Sequence, residues 1–328
     1  MKIIRIRLKE FLSLWKHYSF LYAWYSIIWW FCFYTRPPFC NKLSTYAINK
    51  KTRWLDRYFK RNYSHIIDKY KTVALSNEKI SEPCIWVFWG QGEENMPPLV
   101  RACYRQLTHY NENVVLVTNN NINKYIELPG IIFEKVHHGK ISWAHFSDIV
   151  RNTLLAKYGG LWLDATVWVS GEIPFNKISQ LDFFSANGKV LISSRSTKFW
   201  TSFNYNWSTW CMWNRKANNV LYSFVSEMLI AVAEREKQWP DYVIQDYFMY
   251  YAYKNTPGVK EMLEQSETIP CNNRNELANI MNNEFNTIQY KKLIKENFVF
   301  KLSFRANWNK TTKDGKQTFY GRILENII

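Results

Sequence analysis

The stretch ISWAHFSDIVRNTLLAKYGGLWLDATVWV, residues 141–169, decides the fold of this chain. Its first half repeats apolar side chains at helical spacing and stops at Gly159-Gly160, because glycine accepts the left-handed backbone that ends a helix. Leu161-Trp162-Leu163 then has the character of a short buried strand, and Asp164 follows at its carboxyl end. The stretch therefore predicts a helix, a glycine break and a strand that ends on a carboxylate.

Three charged residues of this stretch are predicted to come together. Asp148 and Arg151 are three positions apart, so they lie on one face of the predicted helix. Ligands of open α/β sheets bind outside the carboxyl ends of the strands, and Asp164 occupies such an end. One interpretation is a ligand site built from these three charges. The other is a surface ion pair that stabilises little, beside a carboxylate in a turn.

The segments before this stretch alternate between strand and helix. Cys84–Trp89 is a continuous apolar run of β-forming residues, as expected of a buried parallel strand. Pro97-Pro98 opens a helix that runs to Tyr110, and Val114–Thr118 is the next strand. This alternation predicts an α/β fold with a mostly parallel sheet and helices on both faces.

The segments after this stretch predict further elements and one aromatic region. Residues 200–213 are dense in Trp, Tyr and Asn, and they are interpreted either as aromatic core or as a surface that stacks on sugars. Asp246 lies among aromatic residues of a predicted helix, either as a structural acid or as a site residue. The other predictions are strands over 183–186 and 190–194, helices over 219–236 and 241–254, and strand character over 298–308.

The basic charge of the chain is concentrated near its N-terminus. Of the formal net charge of +16, residues 1–71 carry +12, from 15 Lys or Arg and 3 Asp or Glu. This concentration argues against a nucleic-acid footprint on the main domain, so we expect no nucleic-acid partner. A break at Ser81-Glu82-Pro83 predicts two parts: a basic, aromatic helical segment over 1–80 and a main domain over 81–328.

Residues 18–34 (YSFLYAWYSIIWWFCFY) carry no formal charge and are rich in Tyr and Trp. Their number is at the lower limit for a bilayer span, and these aromatic residues prefer the headgroup level. Basic flanks on both sides favour a helix that lies on an anionic membrane surface, contacted through residues 1–71. We therefore expect a peripheral or monotopic protein on the cytoplasmic face of the cell membrane. A spanning helix, which would make a single-pass membrane protein, and a buried core helix are the alternatives.

Several common site motifs are absent from the sequence. No G-x-G-x-x-G follows the first strand, and no P-loop or H-E-x-x-H motif occurs. The 6 cysteines contain no C-x-x-C pair, so we interpret them as reduced, mostly buried thiols. These absences exclude the usual dinucleotide fingerprint and the usual zinc spacings.

Taken together, the segments IWVFWGQG, PPLV and HFSDIVRNTLLAKYGGLWLDATV resemble the bacterial capsular polysaccharide synthesis glycosyltransferases. That family is related to the family-32 sugar transferases that carry a DXD motif. The resemblance covers about Ile85 to Val169 and extends to the segment around Asp246. It implies a GT-A-like (Rossmann-like) fold for 81–328, with the acceptor region in the C-terminal half. It also implies retaining transfer of a sugar from a nucleotide-sugar donor to a glycan, such as a lipid-linked capsular or exopolysaccharide precursor.

The resemblance also implies roles for individual residues. Trp89 matches the tryptophan that stacks on the base of the sugar donor, with Gly90 beside it in the donor-binding loop. Asp148 matches the acid that binds sugar hydroxyls, and Arg151 matches the arginine that contacts the sugar and the diphosphate. Trp308, together with Arg305, is expected to close over the diphosphate.

The DXD motif departs from the family pattern. It is Asp164-Ala165-Thr166, with threonine where a second aspartate, the direct metal ligand, is expected. The resemblance implies Mn²⁺ or Mg²⁺ bound through Asp164, and Mg²⁺ often takes only one or two carboxylates. Asp164 and Asp246 are the expected catalytic residues, with Asp246 as a compensating acid at the metal or at the acceptor hydroxyl. The missing aspartate and the 16 Trp also motivate an alternative, a non-catalytic sugar- or lipid-binding subunit of a polysaccharide synthesis complex.

Overall fold

The computed structural model describes residues 2–35, 40–74, 78–186, 207–264, 269, 271 and 274–325. Its strands are β1 (Ile85–Phe88), β2 (Val114–Val117), β3 (Gly160–Leu163), β4 (Val167–Val169), β5 (Phe183–Ser185), β6 (Cys211–Asn214) and β7 (Val299–Lys301). Its first helices are α1 (Lys2–His17), α2 (Phe20–Thr35), α3 (Cys40–Asn62), α4 (Ser64–Lys71), α5 (Pro98–Tyr110), α6 (Gly130–His137) and α7 (Trp143–Tyr158). The later helices are α8 (Phe175–Ile178), α9 (Val220–Arg235), α10 (Ile244–Asn255), α11 (Val259–Glu264), α12 (Glu276–Ile280), α13 (Thr287–Glu296) and α14 (Phe319–Leu324).

The main sheet confirms the predicted α/β class. Its strand order is β2-β1-β3-β6-β5, and β1 pairs in parallel with both β2 and β3. The strand β6 runs antiparallel to both of its neighbours, β3 and β5. The sheet is therefore mostly parallel and compatible with a GT-A-like, Rossmann-type fold. A second sheet, formed by β4 and β7 in antiparallel pairing, lies directly after the end of β3.

Helices cover both faces of the main sheet, as predicted. Side chains alternate across the strand β1, so Trp86 and Phe88 join one apolar cluster while Ile85 and Val87 join another. The first cluster contains the buried faces of α7 and α9, and the second contains residues of α5. Burial on both faces explains why this strand is apolar at every position.

The glycine break between α7 and β3 is where the sequence predicts it. Helix α7 begins after Ser142, whose hydroxyl accepts a hydrogen bond from the His145 N–H at 3.2 Å. It ends at Gly159, which has a φ of +67°, and Gly160 follows with a φ of +93°. A Cβ on Gly160 would lie 2.5 Å from the Cys84 carbonyl oxygen, so β1 and β3 pack too closely for another residue. This turn leads into β3, and Asp164 therefore lies at the carboxyl end of that strand.

The later predictions have mixed outcomes. The predicted helices over 219–236 and 241–254 correspond to α9 and α10, and the strand character of 298–308 is confined to β7. The predicted strand over 190–194 lies outside the described residues, as does the first half of the aromatic region, 200–206. The end of that region forms β6, where Trp213 is buried in the sheet and therefore belongs to the core.

The N-terminal segment is helical, as predicted, and it packs on the main domain. The Tyr22 hydroxyl donates a hydrogen bond to the Pro240 carbonyl at 2.8 Å, and Ser13 donates one to the Gln238 side chain at 2.9 Å. Phe59 of α3 stacks on Tyr247 of α10, with ring centroids 5.5 Å apart. The helical segment and the main domain thus share one continuous apolar cluster. The boundary near Ser81 stays a prediction.

Helices α1 and α2 bury one face and expose the other. Among the helices of the described residues, none combines the length and the apolar composition that a bilayer crossing requires. The spanning alternative for residues 18–34 therefore finds no support. Large apolar side chains that point away from the protein form what we call the N-terminal apolar face: Ile4, Ile6, Leu8, Leu12, Trp15, Phe20, Leu21, Trp24 and Phe31.

Candidate active site

A cleft of about 490 Å³ opens where the carboxyl ends of β1 and β3 meet. Strand β1 brings Trp89 and Gly90 to it, β3 brings Asp164, and α7 brings Asp148 and Arg151. Helix α10 adds Gln245 and Asp246 on the opposite side, and β7 adds Lys301. The structure therefore brings together all the predicted site residues except Trp308.

The Arg151 guanidinium lies at the centre of the polar network in this cleft. It donates to Asp148 Oδ1 at 2.6 Å and to Asp164 Oδ1 at 3.0 Å. It also donates to Gln245 Oε1 at 2.6 Å, and only 4% of its side chain is exposed. The alternative of a surface ion pair does not apply, because this cation is buried between two carboxylates. Breaking such a buried pair costs free energy, because removal of one partner leaves the charge of the other without compensation.

The Asp164 carboxylate accepts hydrogen bonds on both of its oxygens. Oδ1 accepts from Arg151 and from the Trp162 indole N–H, the latter at 2.9 Å, and Oδ2 accepts from Lys301 Nζ at 2.7 Å. Burial alone would raise the pKa of this carboxyl. The Lys301 ammonium and the Arg151 guanidinium outweigh burial and hold the pKa of Asp164 well below its usual value. Asp164 is therefore an anion at any physiological pH.

Two other carboxyls in the cleft have raised pKa values. Burial raises the pKa of Asp148 to about 6, against the opposing effect of Arg151. Burial raises the pKa of Asp246 to about 7, although the Trp207 indole N–H donates a hydrogen bond to its Oδ1 at 2.6 Å. A carboxyl with a pKa near neutrality can exchange a proton during a reaction, so Asp246 is suited to acid–base chemistry.

Lys301 is a cleft residue that sequence reasoning missed. Its Nζ donates to Asp164 Oδ2 at 2.7 Å and to Thr166 Oγ1 at 2.8 Å. The pairing of β4 with β7 places Lys301 opposite Val167. The available signal was a single lysine in the apolar run FVFKLSF, where a buried cation needs a partner.

The side chains of the DXD-like motif do not form a divalent metal site. Both Asp164 oxygens face cationic or N–H donors, and the Lys301 ammonium lies between Asp164 and Thr166. Among the residues that the structure describes, no group of three or more His, Cys, Asp and Glu is arranged to hold a metal ion. Mg²⁺ and Mn²⁺ prefer an oxygen shell, and here the central position beside Asp164 is taken by an ammonium. The residues present therefore do not fit the expected metal.

The four remaining predicted residues lie in different surroundings. Trp89 is half-buried at the cleft, with Phe304 edge-on at a centroid distance of 5.6 Å. A Cβ on Gly90 would lie 2.6 Å from the ring of the exposed Trp143, so a larger residue there would have to displace that side chain. Trp308 packs on another apolar cluster and donates its indole N–H to the Ser303 carbonyl at 2.7 Å. Arg305 does line the cleft.

Two fungal enzymes resemble part of this chain. An O-glycosyltransferase of Phomopsis amygdali, PaGT, is 33% identical over 98 residues, which cover 26% of this chain and 23% of that protein. An O-glycosyltransferase of Annulohypoxylon truncatum, braB, is 31% identical over 96 residues, which cover 26% of this chain and 23% of that protein. The chain thus spans about a quarter of the length of each of these relatives.

The match to a protein family is far more extensive than these two. The family described as capsular polysaccharide synthesis protein matches residues 39–323, which include helix α3, both sheets and every residue of the cleft. This range extends well beyond Ile85–Val169, the part on which the resemblance in the sequence was based. The chain therefore belongs to the capsular polysaccharide synthesis protein family.

Proposed function

We propose that this protein is a glycosyltransferase that moves a sugar from a nucleotide-sugar donor to a glycan. The observation that carries the proposal is the cleft at the carboxyl ends of β1 and β3. There an aromatic side chain, an ion-paired network and an acid with a raised pKa line one cavity. The family match and the similarity to two O-glycosyltransferases support the same activity.

The proposed binding of the sugar donor starts from the cleft walls. Trp89 offers a half-buried ring on which the base stacks, next to the main chain at Gly90. Asp148 accepts hydrogen bonds from sugar hydroxyls. Arg151 is almost fully buried, so its main task is to hold the carboxylates of Asp148 and Asp164 in place. A network held this rigidly orients the sugar without reorganising during the reaction.

The transfer step breaks the bond between the anomeric carbon and the diphosphate and forms a bond to an acceptor oxygen. Negative charge then builds up on the diphosphate, and cations in the cleft lower the barrier by offsetting it. Asp246, on the opposite wall, accepts a hydrogen bond from the acceptor hydroxyl and takes its proton, as its pKa of about 7 allows. We propose retention of the anomeric configuration, with the acceptor attacking on the face from which the diphosphate leaves.

The proposed acceptor is a lipid-linked oligosaccharide at the cytoplasmic face of the cell membrane, where the protein binds as a peripheral or monotopic protein. The N-terminal apolar face exposes Trp15 and Trp24 by about half and lies on the most basic part of the chain. Apolar side chains beside basic residues bind anionic membrane surfaces by partial insertion and by charge.

The activity is tested by incubating the full chain with a panel of nucleotide sugars and measuring release of the nucleotide, with Asp164→Asn as control. We expect one sugar donor to be turned over, and the variant to be at least about 100-fold slower, as for loss of one electrostatic group in an active site. Absence of turnover, with glycan binding that survives Asp148→Ala and Asp164→Ala, would instead identify a non-catalytic sugar-binding subunit.

The membrane contact is tested by co-sedimentation with vesicles that contain anionic lipid. We expect the full chain to sediment with these vesicles and the double variant Leu12→Glu/Trp24→Glu to stay in the supernatant, because both side chains are exposed. The matched control is Ile288→Glu, on a highly exposed residue of α13 outside this face. Equal sedimentation of all three proteins would contradict the proposed membrane face.

A further inference from the structure

We propose that the Lys301 ammonium occupies the position of a divalent cation in this cleft and binds the diphosphate of the sugar donor without any metal. The inference rests on the proposed function, because it assigns a diphosphate to this corner of the cleft. It replaces the metal expected from the DXD-like motif with a residue of the chain itself.

The Lys301 ammonium lies between two oxygens of the DXD-like motif. Lys301 Nζ lies 2.7 Å from Asp164 Oδ2 and 2.8 Å from Thr166 Oγ1, the side chains at the first and third positions of the motif. The resemblance gives the third position, here Thr166, to the direct metal ligand, and the expected metal site of this chain is at Asp164. Here one of them supplies a carboxylate and the other a neutral hydroxyl, and a single positive charge lies between them. The substitution of threonine for the second aspartate therefore matches the exchange of a divalent ion for a monovalent one.

The Lys301 ammonium has enough N–H donors to bind a ligand as well as the motif. A lysine side chain carries three N–H donors, and the two bonds named above use two of them. Among the described residues, these bonds leave one N–H for a ligand in the cleft that Lys301 lines. A charge-assisted hydrogen bond from an ammonium to a phosphate oxygen is short and strong.

Main-chain hydrogen bonds hold Lys301 in place beside the motif. The backbone N–H of Lys301 donates to the Arg274 carbonyl at 2.9 Å, and the next residue, Leu302, donates to the Thr166 carbonyl at 3.0 Å. Lys301 also pairs with Val167 across the small sheet. The lysine is therefore anchored by main-chain bonds on two sides, to the motif through Leu302 and to Arg274 through its own N–H, as a cation that substitutes for a metal requires.

The charges around Asp164 disfavour an additional divalent ion. A divalent ion at this place would join the Lys301 ammonium and the buried Arg151 guanidinium, and four positive charges would then face the two carboxylates of Asp164 and Asp148. Such a cluster is strongly repulsive in a partly buried site. Arg305 at the rim of the same cleft adds a further cation that a diphosphate can approach.

The test uses inorganic pyrophosphate as a probe that does not depend on the base or on the sugar. Binding to the full-length protein is measured by isothermal titration calorimetry in excess EDTA, for the wild type, Lys301→Met, Lys301→Arg and Lys310→Met. We expect the wild type to bind in EDTA, Lys301→Met to bind at least about tenfold more weakly, and Lys301→Arg to keep most of the affinity. Lys310→Met is the matched control on an exposed lysine and should bind like the wild type.

Two results would overturn the inference: loss of wild-type binding in EDTA, or Lys301→Met binding as tightly as the wild type. If Lys301→Met fails to fold, the EDTA result with the wild type decides alone, since retained binding supports the inference and lost binding overturns it. The double variant Thr166→Asp/Lys301→Ser restores the acidic pair and should bind pyrophosphate only when Mn²⁺ is added. Metal-free binding that depends on Lys301, together with no turnover of any nucleotide sugar, would remove the proposed function and leave the anion site standing.

Discussion

Asp164 and Asp246, on opposite walls of the cleft, have pKa values shifted in opposite directions. On the ionic wall, formed by Asp148, Arg151, Asp164 and Lys301, two cations hold the pKa of Asp164 well below its usual value. On the facing wall, Asp246 has a neutral indole N–H as its hydrogen-bond partner, and burial raises its pKa to about 7. The difference shows how one side-chain type serves two purposes. Asp164, beside two cations, holds charge and geometry, whereas Asp246, beside a neutral donor, can move a proton.

The largest effect is expected when the ionic wall loses its centre. Arg151→Met removes a buried cation that bonds Asp148, Asp164 and Gln245. It leaves Asp148 without a cationic partner and Asp164 with Lys301 alone. We expect the free energy of unfolding to fall by about 3–5 kcal/mol, as for other broken buried pairs. Urea denaturation at pH 7 measures this change. Arg305→Met, on an exposed arginine of the same cleft, is the control and should stay within about 0.5 kcal/mol of the wild type. A loss below about 1 kcal/mol for Arg151→Met would show that the ionic wall is not structural.

Removal of the acid from the facing wall should change the reaction more than the stability. Asp246→Asn keeps the shape and can still accept the hydrogen bond from Trp207, but it cannot take a proton. We expect turnover of the sugar donor to fall by about 100-fold or more, the usual contribution of a positioned acid or base. The wild-type rate should rise with pH through about 7, the pKa of Asp246, and this limb should be missing in the variant. A variant that keeps both the rate and the pH limb would remove Asp246 from the proton transfer.

The raised pKa of Asp246 also predicts a smaller effect, a dependence of the free energy of unfolding on pH. The pKa of Asp246 is about 7 in the folded protein and about 4 in an unfolded chain, so the folded state binds more protons between these values. Its contribution to the free energy of unfolding is therefore favourable at low pH and is lost as the pH rises towards 7. Asp246→Asn lacks this term, so its stability relative to the wild type should increase from pH 4 to pH 8. Thermal unfolding at several pH values measures the difference, and a constant difference would contradict the raised pKa.

The smallest effect is expected when Asp246 loses its hydrogen bond from the Trp207 indole. The Trp207 N–H lowers the pKa of Asp246, and Trp207→Phe removes that donor. We expect the pH at which turnover rises to move to a higher value. The maximal rate should change little, because a hydrogen bond from a neutral donor contributes only about 1 kcal/mol of free energy. The pH profile of turnover provides the measurement. A shift to lower pH would show that another group, rather than this indole, sets the proton affinity of Asp246.

Local sequence patterns were sufficient for the core of the fold and for half of the site. The helix α7, the glycines and the strand β3 follow from apolar spacing and from the positive φ angles of Gly159 and Gly160. The same spacing places Asp148 and Arg151 on one helical face and Asp164 at a strand end. These relations depend on residues close in the chain, so periodicity encodes them. No local pattern placed Trp308 near the cleft: its role came from the family resemblance, the structure packs it on another apolar cluster, and its closure over the diphosphate stays a prediction.

The other half of the site depends on tertiary structure. Lys301 reaches Asp164 across 137 positions, through the pairing of two short strands, β4 and β7. Of these, β4 was not predicted and β7 was predicted only as strand character. Nothing in the spacing of either segment specifies its partner, since strand pairing is determined by packing and by the burial of each strand face. The sequence alone determined an α/β fold with an acid at the end of β3. Only the folded chain, which brings Lys301 to that acid, decided which cation neutralises it, because charges far apart in sequence meet only when the chain is compact.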